Sequence, residues 1–93
     1  MTYFTEQTQN YIDGQIRSLD FSISYADSKD WHPFDKRDFK LKHISEARAE
    51  MLSVIAYANI YLKAITDADY NRFSDQIINA INEREEKAWE LID

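Results

Sequence analysis

Ninety-three residues with 17 acidic and 11 basic side chains, a formal charge of −6, fit one domain and argue against a protein that grips phosphate backbones through a clustered positive surface. The absence of cysteine removes disulfides, thiolate nucleophiles and cysteine-type zinc sites together, and a single glycine and a single proline leave little turn chemistry for β-hairpins. The expectation is an all-α fold, a compact bundle of three main helices filling residues 1–93 as a single helical domain.

The first helix is predicted over about residues 5–28. Ile12, Ile16, Leu19, Ile23 and Ala26 are spaced four, three, four and three apart, which lines them on one helical seam. Phe4 and Tyr11 widen the seam, and Thr2 or Thr5 suits the N-cap. Gly14 interrupts the segment at a cost of about 0.5 to 1 kcal/mol against alanine, and plain tolerance explains it better than a close helix approach.

The pattern breaks over residues 27–38, a long charged and aromatic connection that contains the chain's one proline. Pro33 disfavours an α conformation at His32 and suits the first turn of a short helical segment starting near Asp30. Trp31 and Phe34 suit two roles. They can fold back over the end of the core, or stand outward as interface anchors, since tryptophan among charges is a common hot-spot composition.

The second helix is predicted over about residues 38–65, with Asp35 as an alternative start, and has Leu41, Ile44, Met51, Ile55, Ala58, Leu62 and Ile65 on its seam and Arg48 interrupting it. From Met51 to Leu62 the helix leaves almost no face for water, because Ala47, Val54 and Tyr61 widen one flank and Leu52, Ala56 and Ile60 form a row across the back. A helix apolar nearly all round needs more than one neighbour. The expectation is therefore a two-fold dimer built on Leu52, Ala56 and Ile60, with Tyr57 beside them.

At Thr66-Asp67-Ala68-Asp69 the seam changes phase and a helix restart is signalled, with Thr66 or Asp67 as cap and an acid in the first turn. The third helix, about residues 68–92, carries the stripe Tyr70, Phe73, Ile77, Ile81, Arg84, Ala88 and Leu91. Ile78 and Trp89 share a separate flank that reads as a second contact surface. Helices of these lengths match at about 35 to 40 Å.

Residues 27–43 hold five cations against four acids, whereas residues 67–93 hold three against eight. Lys36, Arg37, Lys40 and Lys42 near a helix N-terminus oppose its dipole, a small cost that a neighbouring helix end or an acidic partner would offset. Arg48 and Arg84 on seam positions are expected to run their stems along the core edge. The acids of the third helix raise the alternative of a nucleic-acid mimic, but Arg72, Arg84 and Lys87 interrupt them.

No catalytic signature emerges. His43, Glu46 and Glu50 share a helical face, yet no matching motif on another segment completes a metal site. No cofactor or metal is expected, and no enzyme activity. The reading by elimination is a non-enzymatic regulator that binds a larger protein and covers a functional site on it, contacting it through residues from the set Trp31, Phe34, Leu52, Ala56, Tyr57, Ile60, Ile78 and Trp89. Small accessory proteins of phages and mobile elements acting on host nucleases or defence complexes have this make-up. A homo-oligomeric scaffold is the alternative. No stretch approaches eighteen continuous apolar residues and Met1–Asp30 lacks a signal-peptide pattern, so no membrane or direct nucleic-acid partner is expected, and the location expected is cytoplasmic, in the host if phage-encoded.

Overall fold

Thr2 opens the first helix: its hydroxyl accepts the Thr5 amide at 3.2 Å, satisfying one of the amides a helix start leaves free. The structure, a computed structural model, describes residues 2–90 and arranges them as α1 (Tyr3–Asp27), α2 (Pro33–Ile60) and α3 (Asp67–Glu90). The chain runs up, down and up along a rod of 45 × 19 × 19 Å.

The helices α1 and α3 bury most of the stripe their spacing predicts, and α2 buries the middle of its own. In α1 Thr5, Ile12, Leu19 and Ala26 are buried, one every seven residues, with Ile16 and Ile23 half-buried beside them. In α3 the buried set is Phe73, Ile77, Ile81 and Ala88, while Leu91 and the predicted end at residue 92 lie outside the described residues. Ile44, Met51 and Ile55 of α2 complete one apolar cluster that reaches all three helices. Gly14 has open space around it, its nearest neighbour being the Arg17 guanidinium at 4.0 Å from an added Cβ, so no close helix approach calls for it.

The boundaries of α2 differ from expectation at both ends. Its start is Pro33 rather than residue 38, because His32 Nδ1 accepts the Phe34 amide at 3.1 Å and Pro33 occupies the first helical position, where a missing amide hydrogen costs nothing. The connection from α1 thus shortens to residues 28–32. At the other end α2 stops at Ile60 rather than residue 65. Lys63 takes a left-handed backbone with φ 51°, and the Asn59 side chain donates to the Ile65 carbonyl at 3.2 Å and to Asp67 at 3.0 Å, closing the turn. Ile65 still reaches the core, but from the loop, and Leu62 is left 58% exposed. Thr66 then caps α3 by accepting the Asp69 amide at 3.1 Å.

α2 packs with apolar side chains against both partners, whereas α1 and α3 run parallel and meet through polar groups. Thr5 donates to Asp69 at 3.2 Å, Gln9 to Gln76 at 3.2 Å, and Arg84 to Asp20 through two bonds. Arg84 therefore does more than lie along the core edge, since its head is held by an acid of the same chain; Arg48 is exposed. The Arg84 hydrogen bond and charge hold the Asp20 carboxyl below its ordinary value against the opposing pull of desolvation.

Candidate functional site

Two groups of exposed apolar side chains lie at opposite ends of the rod, and the sequence-predicted residues divide between them. The first end is formed by the C-terminal turns of α1 and α3 and the N-terminal turns of α2. There the His32–Pro33 start aims Phe34 outward, and Arg37, one turn further on, lays its guanidinium 5.3 Å from the Phe34 ring centre and 5.0 Å from that of Trp89 on α3. Arg37 also donates to Asp38 at 3.0 Å, which fixes the plane of the guanidinium. The cation is thereby held between two rings that are 49% and 54% exposed.

Trp31 takes the neighbouring flank of the same end. It meets Tyr25 edge-on at 5.9 Å and Phe39 at 5.3 Å, and Phe39 in turn lies 4.3 Å from the His43 ring. Lys29 places its ammonium 4.6 Å over Tyr25. Trp31 thus folds back toward α1 and α2 while keeping 36% of its surface in solvent.

The excess of cations near the start of α2 is matched by the end of α1. Lys40, buried along α2, bonds the Asp27 carboxylate, and Lys36 donates to the Asp27 carbonyl at 3.4 Å. Two ammonium groups therefore meet the negative pole of the α1 dipole, offsetting the unfavourable position they hold on α2.

The second end joins the N-terminus of α1 to the C-terminus of α2 and the turn after it. Tyr57 and Ile60 lie here, 54% and 60% exposed, and the structure adds Tyr3, Phe4, Tyr61 and Leu62. Tyr3 packs edge-on against Phe4 at 5.4 Å, Tyr57 stacks on Tyr61 at 5.5 Å, and an apolar notch lies between Phe4 and Leu62. Sequence reasoning placed Phe4 and Leu62 on core seams and passed over Tyr3. The available signal was position, because all four additions sit within a turn or two of a helix end, where the core stops covering them.

The back row of α2 is split by the fold. Leu52 is half-buried against the core and Ala56 is also half-buried, leaving Ile60 as its outward member. Ile78 is 37% exposed near the middle of α3 and joins neither end group. Arg37 was read from sequence as a charge alone, although its spacing from Phe34 allows the stack.

Two grooves run along the sides. His43, Glu46 and Glu50 line a shallow cleft with Gln15, Ser18 and Ser22, and among the described residues no group of three histidine, aspartate or glutamate side chains is arranged to hold a metal ion. Between α1 and α3 a cleft of about 250 Å³ is lined by Asp20, Ile23, Lys40, Glu83, Arg84, Lys87 and Ala88. Among the described residues no helix is long and apolar enough to cross a membrane. The chain matches no protein-family model, no curated protein and no solved structure.

Proposed function

We propose that the chain is a non-enzymatic regulator that binds a larger protein and covers a functional site on it, with Phe34, Arg37 and Trp89 as its anchors and Trp31 beside them. The observation that carries this reading is the Arg37 guanidinium held between two half-exposed rings. Tryptophan and arginine are over-represented among residues that dominate binding energy, and side chains ordered before contact lose less rotamer freedom on binding. The anchors stand among both signs of charge, with Glu85, Glu86 and Glu90 near Trp89 on α3 and with Lys29, Asp30, Asp35 and Lys36 around Trp31 and Phe34, which favours a target whose apolar pocket has a rim of mixed charge. A small inhibitor of the phage or mobile-element type, acting in the host cytoplasm on a nuclease or defence complex, is the form of regulator we favour.

The test is capture from host lysate on immobilised wild-type chain, with Trp89→Ala and Phe34→Ala chains of unchanged helical content alongside. A stoichiometric protein held by the wild type and lost from both variants is the expected result. Equal retention on all three, or no captured protein, overturns the reading.

A further inference from the structure

We propose that the second end of the rod is covered by another copy of the same chain, giving an end-to-end two-fold dimer. Its surface is large for a monomer. Six side chains, Tyr3, Phe4, Tyr57, Ile60, Tyr61 and Leu62, are each 54 to 76% exposed, and at roughly 200 Å² per large side chain they leave about 700 Å² in water. The largest apolar patch of an ordinary monomer is about 300 to 600 Å², and a standard interface covers about 800 Å² per partner. One copy pressed on another through this face buries up to about 700 Å² per copy, below the standard figure but inside the range of about 600 to 1,000 Å² per partner that specific interfaces cover.

Charge selects the same occupant. Residues 2–6 and 57–72 carry three acids, Glu6, Asp67 and Asp69, and two cations, Lys63 and Arg72, so this end holds one net negative charge in a chain of net charge −6 and can meet itself with little excess of like charge. The acids Glu83, Glu85, Glu86 and Glu90 lie toward the far end of α3, about 24 Å or more along the helix from Asp67 at 1.5 Å per residue. That separation is several times the screening length of about 8 Å at physiological salt, so end-to-end contact keeps the acidic regions of the two copies from repelling one another. A side-by-side dimer on the back of α2 lacks this advantage, and Leu52 and Ala56 are already half-covered by the bundle.

This inference is independent of the proposed target site, which occupies the opposite end. It is tested by light-scattering mass and small-angle X-ray scattering of the full chain over a dilution series. The expected result is a mass near twice 11.0 kDa and a greatest dimension near twice the 45 Å long axis. Tyr61→Asp and Leu62→Glu, both at exposed positions, are each expected to weaken self-association by about a hundredfold at unchanged helical content. Trp89→Ala leaves the mass as it was. A chain monomeric at every concentration, a dimer with a greatest dimension near 45 Å, or a dimer indifferent to both end substitutions overturns the proposal.

Discussion

Arg84 on α3 grips Asp20 on α1 with two parallel bonds, Nε to Oδ1 at 2.7 Å and Nη2 to Oδ2 at 2.9 Å, while its remaining nitrogen donates to the Ala80 carbonyl at 2.9 Å. The geometry is the bidentate form that makes such pairs worth more than a single surface ion contact. Because the Asp20 side chain is 50% exposed, solvent screening limits the gain to about 0.5 to 1 kcal/mol. Asp20→Asn is expected to lose that amount at neutral pH. The Asp20 carboxyl is held below its ordinary value, chiefly by the Arg84 hydrogen bond. Its contribution is therefore present above the unfolded value of about 3.9 and disappears as pH falls through the lower folded value. Urea titrations at neutral and strongly acidic pH should show the gap between wild type and Asp20→Asn closing in acid; a gap that persists there contradicts the assignment.

Lys40 is 7% exposed and takes its charge partner from the last residue of α1. Removing one member of such a pair strands the other, whereas replacing a buried charge by an apolar side chain of similar length can be nearly neutral. Asp27→Ala is expected to cost about 2 kcal/mol, less than a fully buried pair because Asp27 itself is half in solvent. Adding Lys40→Met to it should recover most of the loss. A double variant no more stable than Asp27→Ala, by thermal or urea unfolding, rules out a stranded ammonium as the cause.

Gly14 and Lys63 hold each other's ideal places. Gly14 sits inside α1 with room for a methyl group, so Gly14→Ala should stabilise by about 0.5 to 1 kcal/mol. Lys63 carries a left-handed φ of 51° in the turn after α2, where glycine has no Cβ to crowd the backbone. Lys63→Gly should gain about 0.5 kcal/mol, the strain relieved being partly offset by the freer unfolded chain. Each shift is readable as a rise of a few degrees in Tm, and a fall in either variant counts against its local geometry as described.

Among the described residues the Tyr11 hydroxyl is buried without a hydrogen-bond partner, and desolvation, aided by the Glu50 charge, raises its pKa. A stranded polar atom costs free energy that a phenylalanine ring avoids. Tyr11→Phe is expected to raise stability by about 1 kcal/mol at neutral pH. The raised value also means that the wild type loses stability as pH climbs past about 10, where the unfolded tyrosine ionises first. The variant lacks that loss, so the advantage of phenylalanine widens in alkali; equal unfolding midpoints at neutral pH would remove the argument.

The α1 and α3 stripes were legible because each depends on local spacing. Ile12, Leu19 and Ala26, or Phe73, Ile77 and Ile81, fall on one side of a helix whatever the rest of the chain does, and Thr66 announces α3 by its own capping chemistry. The ends of α2 were not legible. His32 capping through a ring nitrogen and Lys63 turning the chain without glycine are both uncommon solutions, and each shifts a boundary by about five residues. Lys40 looks like a surface cation until Asp27 is brought across the connection to meet it. The Arg37 stack needs Trp89, which only the tertiary fold supplies, and so the two end groups emerge from the bundle rather than from any one segment.

The seven-residue recurrence of Thr5, Ile12, Leu19 and Ala26 has a cost in uniqueness. Slide α1 along its axis by one repeat, about 10 Å at 1.5 Å per residue, and an apolar side chain still meets the core at most levels. Greasy contacts alone therefore leave the axial position of α1 ambiguous. The Thr5–Asp69 and Asp20–Arg84 bonds are not so forgiving: both join residues 64 apart, and a slide breaks the two at once. They act as the two pins of a gauge, tolerating one alignment and rejecting its neighbours. A chain stripped of both pins would lose more than their modest energies, drifting among offset packings that are each helical and none singly occupied.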